Sequence, residues 1–180
     1  MKSTILTSAV FCSVLITPIA ASAQQPYISV DIGKSEIDLG VSGIDDSDTA
    51  LSVSAGVKIN KNLAVEVGYI DFGEITISGN GSLSVGAEAF NLSAIGIIPL
   101  SEQVGLIGRI GIDLWEADME INNVPSIPNE KVTDDGNDTF FGIGAFARVN
   151  DTVNMKIEYQ FHELDEVDVD VLSLGVSFFF

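Results

Sequence analysis

From Val153 to Phe161 the chain reads VNMKIEYQF. Val153, Met155, Ile157, Tyr159 and Phe161 share one face of an extended segment, and Asn154, Lys156, Glu158 and Gln160 share the other. A period of two is the signature of a strand whose two faces meet different surroundings. The pattern recurs in LSLGVSFFF, where Leu172, Leu174, Val176, Phe178 and Phe180 oppose Ser173, Gly175, Ser177 and Phe179. It recurs again in ALSVSAGVKI, with Leu51, Val53, Ala55, Val57 and Ile59 against Ser52, Ser54, Gly56 and Lys58. Eight such segments are predicted, near 26–34, 49–59, 62–71, 86–98, 104–115, 139–149, 153–162 and 170–180.

The connections between them also alternate. NKN (60–62), PLSEQ (99–103) and NDT (150–152) are short and rich in turn-forming residues. The segments 35–48, 72–85, 116–138 and 163–169 are long, polar and mostly acidic, and are predicted as loops. Strands of about ten residues with short turns at one end and long loops at the other describe an all-β fold, an eight-stranded antiparallel up-and-down transmembrane barrel. A soluble barrel would have to turn Lys, Glu, Arg and Ser inward or leave a very large apolar patch outside. In hydrocarbon the sheet must close, because unpaired backbone groups cost several kcal/mol each. The last strand is therefore expected to run to Phe180, with Phe178 and Phe180 facing lipid near the interface.

Composition removes other classes. Only 8 Lys and Arg face 26 Asp and Glu, for a net charge of −18, so binding to nucleic-acid phosphates is not expected. The first 23 residues carry Lys2, an apolar core and Ala21-Ser22-Ala23, the three parts of a cleaved secretory signal peptide. The predicted mature chain is 24–180. Cys12 is the only cysteine, so the mature part has no disulfide framework, thiol nucleophile or cysteine metal site.

Four stretches, NKNLAVEVGYIDFG, IGRIGIDLWEAD, NMKIEYQF and LSLGVSFFF, resemble in order the N-terminal transmembrane barrel of the outer membrane protein A family. That resemblance implies a Gram-negative outer-membrane location, with both termini periplasmic and the long loops extracellular. It also implies that the terminal phenylalanine acts as an assembly signal for the barrel-assembly machinery, periplasmic chaperones being the other biogenesis partners. Outer membrane protein A continues into a periplasmic peptidoglycan-binding domain; the present sequence shows only the barrel, so cell-wall tethering is not expected of it.

Alternation points Asp31, Lys58, Glu66, Arg109, Asp113, Arg148, Lys156 and Glu158 into the lumen. An eight-stranded barrel is just wide enough for side chains to fill it, and buried charges there must be paired. The set reads either as a packed polar core or as a narrow, porin-like ion path. The resemblance implies a lumenal network in which a glutamate can exchange cationic partners. Glu66 and Lys156 match two of its members, whereas Ile95 and Phe146 stand at the other two positions. A switchable gate is thereby weakened. Glu66 and Lys156 lie at similar distances from their turns and are expected to pair across the barrel, with Arg109 the other cation within reach.

No enzyme activity and no cofactor are expected. His162 is the only histidine, beside Glu163 and Asp165, and no H-x-S spacing follows it; it reads as a rim residue. TDDGNDT (133–139) has the composition of a calcium loop without its spacing. Asp45, Asp46, Asp48, Asp134, Asp135, Asp138, Asp165, Glu166, Asp168 and Asp170 are predicted to form an acidic crown on the extracellular loops. Such a crown serves solubility, or binds divalent cations or a basic partner beside lipopolysaccharide. The expected function is that of a monomeric structural barrel contributing to outer-membrane integrity in contact with outer-membrane lipid. A narrow channel and a surface adhesin are the rivals from other classes.

Overall fold

The computed structural model describes residues 24–38, 45–78, 82–122, 130–164 and 167–180. The predicted signal peptide, Asp165 and Glu166 lie outside them. Eight strands follow in chain order: β1 (Gln25–Asp38), β2 (Asp45–Asn60), β3 (Leu63–Ser78), β4 (Ser82–Pro99), β5 (Val104–Asn122), β6 (Glu130–Arg148), β7 (Val153–Leu164) and β8 (Val167–Phe179). Each pairs antiparallel with its sequence neighbours, and β8 pairs with β1, closing the barrel. Tyr27 stands opposite Phe179, and the Phe180 N–H donates to Pro26 O at 2.9 Å. The ladder thus reaches the last residue, although the strand itself ends one residue earlier than expected.

The short turns are built as their residues dictate. Asn60 Oδ1 accepts the Asn62 N–H at 2.8 Å, and Asn150 Oδ1 accepts the Thr152 N–H at 2.9 Å; an Asx side chain bonding two residues ahead mimics a backbone turn. Ser101 Oγ does the same for the Gln103 and Val104 N–H groups in the third turn.

At the opposite end the strands outrun the expectation, and the difference corrects the predicted loops. Residues 35–38, 45–48, 72–78, 82–85, 116–122, 130–138 and 163–164 are strand. Asp45, Asp46, Asp48, Asp134, Asp135, Asp138, Asp168 and Asp170 therefore sit on strands and not in loops. The cause is a change of phase in the alternation. Below Ile32, Leu51, Phe90, Leu114, Phe141, Phe161 and Leu172 the outward positions are apolar. Above them the outward positions are Lys34, Thr49, Asp71, Glu88, Glu116, Thr139, Glu163 and Asp170. The inward positions change in the opposite sense, and Ala50, Ile70, Phe72, Ala89, Trp115, Leu164, Val169 and Val171 form an apolar cluster inside that end. The lower barrel is built for lipid and the upper barrel for water. The outward apolar band from Val104 to Leu114 on β5 is near the length that a tilted membrane strand needs.

Large inward side chains are accommodated by glycine across the ladder. Tyr27 faces Gly56, Phe140 faces Gly111, Trp115 faces Gly136 and Phe146 faces Gly105. In each case a Cβ on the glycine would strike the ring. This pairing lets a narrow barrel close around aromatic rings without a void or a clash.

Candidate functional site in the barrel lumen

The lumen is layered. The apolar cluster of the long-strand end lies over a polar middle. Below that come Tyr27, Ala64 and Ile95, packed with Ile97, Ile107 and Phe179.

Arg109 on β5 organises the middle. Its Nε donates to Glu158 Oε1 at 2.5 Å and its Nη2 to Glu158 Oε2 at 3.2 Å. Its Nη1 donates to Glu66 Oε1 at 2.5 Å and to Ser93 Oγ at 2.9 Å. All three charged side chains are almost completely buried. The Tyr27 hydroxyl donates to the other Glu66 oxygen at 2.9 Å. Lys156 makes two ion pairs, to Asp31 at 3.0 Å and to Glu158 at 3.4 Å. Asp31 and Lys156 are two strands apart, both paired with Gly175 on β8; a Cβ on Gly175 would collide with the Asp31 carboxylate and stand 3.0 Å from Lys156 Cε.

The expected Glu66–Lys156 pair is not formed. β3 and β7 are diametrically opposed in the barrel, and Arg109, on the strand midway between them, reaches both Glu66 and Glu158. Its fork of donors satisfies two carboxylates that a lysine on the far wall would serve as a point charge. Small residues clear its path: Ser93 lies between Arg109 and Glu66, and on the other side a Cβ on Gly142 would stand 3.1 Å from Glu158 Oε1.

Of the other residues expected in the lumen, Lys58 stands half-buried at the short-turn mouth and is repelled by Arg148, which is exposed there. Neither makes an ion pair within 4.0 Å among the described residues. Asp113 is fully buried and meets His162 Nδ1 at 2.6 Å. His162 is therefore not a rim residue. Its Nε2 meets Gln160 Oε1 at 3.0 Å, and its ring stacks on Phe140 at 4.8 Å and meets the edge of Phe72 at 4.9 Å. Sequence reading missed this pair; the inward parity shared by Asp113 and His162 was the available signal.

Small cavities lie on either side of the ionic layer. One of about 60 Å³ opens toward the short-turn end between Tyr27, Lys58, Ile95, Phe146 and Asn154. One of about 10 Å³ lies above, among Asp31, Ser54, Glu66, Gly68, Asn91 and Gln160. Glu66, Arg109 and Lys156 border both, so the ion-paired layer is the partition between them.

On the outside, Phe178 and Phe180 are exposed as lipid-facing residues should be, while Phe179 turns inward and packs on Tyr27 at 5.0 Å between ring centres. Tyr69, Phe90, Phe141, Tyr159 and Phe161 form ring contacts close to the change of phase, where aromatic girdles of membrane barrels sit. The acids above that line are partly tied to one another's strands. Asp48 accepts the Glu74 N–H at 2.7 Å and the Thr49 N–H at 2.7 Å, which hold its carboxyl below the usual carboxylate range. Gly73 stands beside it in the left-handed region, with φ of 86°, at an irregularity in the β3–β4 register. Lys131 bridges Asp118 at 3.1 Å and Glu120 at 3.7 Å.

The family model described as outer membrane protein beta-barrel domain matches residues 4–180. No curated protein matches the sequence. Among solved structures, the attachment invasion locus protein Ail of Yersinia pestis, in complex with the heparin analogue sucrose octasulfate, is 15% identical. It superposes with a TM-score of 0.66 over 88% of this chain and 100% of its own. Neisserial surface protein A is 18% identical, with a TM-score of 0.65 over 86% of this chain and 97% of its own. The N-terminal β-barrel domain of Pseudomonas aeruginosa OprF is 16% identical, with a TM-score of 0.53 over 84% and 97%. At these identities the likeness is one of fold.

Proposed function

Since the chain belongs to the outer membrane protein β-barrel family, we propose that it is a structural, non-conducting barrel that reinforces the outer membrane and holds an acidic collar above it. The observation that carries this reading is the Arg109 layer. A buried guanidinium shared by Glu66 and Glu158, with Lys156 bridging Asp31 and Glu158, fills the lumen at its middle. A pore would need a continuous aqueous path there, and the cavities on either side are small.

In this reading the short-turn end and both termini are periplasmic and the acidic strand extensions are outside. Outer-membrane lipid and lipopolysaccharide are the surroundings, and the barrel-assembly machinery and periplasmic chaperones are the partners in biogenesis. Catalysis has no part in it, since His162, the only histidine, is sealed behind Phe72 and Phe140. The heparin analogue bound by Ail is not transferred here, because an acidic end repels a polyanion. An adhesin of this charge would need a basic partner.

The experiment is a deletion strain challenged with detergent and with a bulky antibiotic excluded by an intact outer membrane. The expected result is increased sensitivity, restored by the wild-type barrel and by one whose upper acids are replaced with serine. Unchanged sensitivity with lost host-cell binding would favour the adhesin.

A further inference from the structure

Arg148, Asn154, Ser177 and Ser29 stand opposite one another in register across β6, β7, β8 and β1. Asn154, Ser177 and Ser29 border the cavity of about 60 Å³ that opens toward the short-turn end, and Lys58 borders it from β2. These side chains carry N–H and O–H groups that have no acceptor among the described residues. Ser29 Oγ and Ser177 Oγ are 2.6 Å apart, and both residues are more than nine-tenths buried. One hydroxyl donates to the other, so one O–H hydrogen of the pair is left over. The Asn154 side chain makes no hydrogen bond among the described residues, and its amide adds two N–H groups. Lys58 adds an ammonium without an ion-pair partner. Glu66, the acid on the cavity wall, has one oxygen taken by Arg109 and the other by Tyr27.

Charge points the same way. From the ionic layer down to the short-turn mouth, Asp31, Glu66 and Glu158 are negative and Arg109, Lys156, Lys58 and Arg148 positive, three against four. Arg109 and Lys156 are engaged by the three carboxylates. Lys58, half-buried, is left to the repulsion of Arg148. An ammonium partly withdrawn from water beside a like charge is costly until an anion joins it. Water would accept the leftover hydrogens and leave the repulsion in place. A small anion accepts the hydrogens and relieves the repulsion.

We propose that this cavity binds one small monovalent anion, chloride in the first instance, held by the Lys58 ammonium, the Asn154 amide and the free hydroxyl of the Ser29–Ser177 pair. The volume exceeds that of a single water site and admits such an ion with part of its hydration. Ile95, Ile97, Ile107 and Phe179 supply apolar wall, which disfavours a doubly charged ion more than a singly charged one. With one anion bound, the lower lumen is neutral. The site goes beyond the structural role proposed above: the Arg109 layer seals the lumen with or without the ion.

The test is urea unfolding of the refolded barrel in zwitterionic vesicles, in sodium chloride against sodium gluconate at equal ionic strength, together with the chlorine-35 NMR line width of chloride added to the barrel in micelles. Chloride should stabilise wild type. Its folded-to-unfolded ratio should rise up to tenfold for each tenfold rise in chloride above the dissociation constant, and the folded barrel should broaden the chloride line. Lys58→Met should abolish both effects. In gluconate it should be no less stable than wild type, because it removes a half-buried charge beside a like one. Asn154→Ala should weaken chloride binding about tenfold, as loss of a hydrogen bond to a charged group does. Lys61→Met, in the exposed turn beside β2, should leave both effects intact. Equal wild-type stability in the two salts, or a line no broader with wild type than with Lys58→Met, would overturn the proposal and leave water as the occupant. Chloride dependence that persists in Lys58→Met, or that disappears equally in Lys61→Met, would place the ion elsewhere and overturn it too.

Discussion

Replacing Arg109 by methionine removes one charge and strands two. Glu66 and Glu158 are 4% and 1% exposed, and Arg109 supplies both with their shortest hydrogen bonds. Breaking a buried pair by removing one partner costs about 3–5 kcal/mol, because the carboxylate left behind stays desolvated. Tyr27 still donates to Glu66 and Lys156 still lies 3.4 Å from Glu158, so the cost should stay within that range and not double. With a urea slope of about 2 kcal/mol per molar, the midpoint should fall by roughly 2 M. Converting Glu66 and Glu158 to glutamine in the same protein should recover most of the loss, since neither amide carries a charge. Equilibrium unfolding from lipid vesicles measures all three, and double-mutant cycles locate the coupling. Glu66 should couple strongly to Arg109 and weakly to Lys156. A loss below about 1 kcal/mol for Arg109→Met, or a triple variant no better than the single one, would refute the pairing.

Other expectations follow from the same geometry. Gly175→Ala should drive Asp31 away from Lys156 and destabilise the barrel by about 1–3 kcal/mol, less in an Asp31→Ala background, as unfolding of the two variants would show. Deleting Phe180 removes an exposed lipid-facing ring and the Phe180 N–H bond to Pro26; outer-membrane levels should fall sharply by immunoblot of membrane fractions. Asp48 is held below its ordinary pKa by two N–H groups. Its contribution to stability is therefore present above the unfolded value of about 4 and lost as pH falls through the lower folded value. An Asp48→Asn protein should accordingly lose less stability between pH 5 and the acid range, and an identical acid profile would dismiss the clip.

The barrel was legible because the lipid-facing half of each strand announces itself. An outward Leu172, Leu174, Val176 and Phe178 against Ser173, Gly175 and Ser177 leaves little choice of fold. The strand extensions were not legible for the same physical reason. Beyond Leu114 and Phe141 the outward residues become acidic while Trp115 and Phe140 carry the apolar inward positions, so a search for outward apolar residues reads them as loop. The inward parity of Asp31, Glu66, Arg109, Lys156 and Glu158 was readable, but their partners were not. Pairing followed from Lys156 through Gly175, Asp31, Ser52, Ile70, Ala89 and Trp115 arrives on β6 at Gly136, whereas Lys156 itself pairs with Phe146 on that strand. The ladder climbs as it circles. Equal distances from the turns therefore do not make two residues neighbours, and Arg109 takes the place that Lys156 was expected to fill.

The claim that this barrel is a strut with a sealed lumen meets its most direct test in a planar bilayer. Wild-type protein inserted at known density should give no steady conductance above the bare membrane across the tolerated voltage range. Arg109→Ala, which opens the partition between the two lumenal cavities, should give small intermittent steps. A large, steady, voltage-independent current from the unmodified protein would contradict the account, because the buried layer of Glu66, Arg109, Glu158 and Lys156 leaves no room for it.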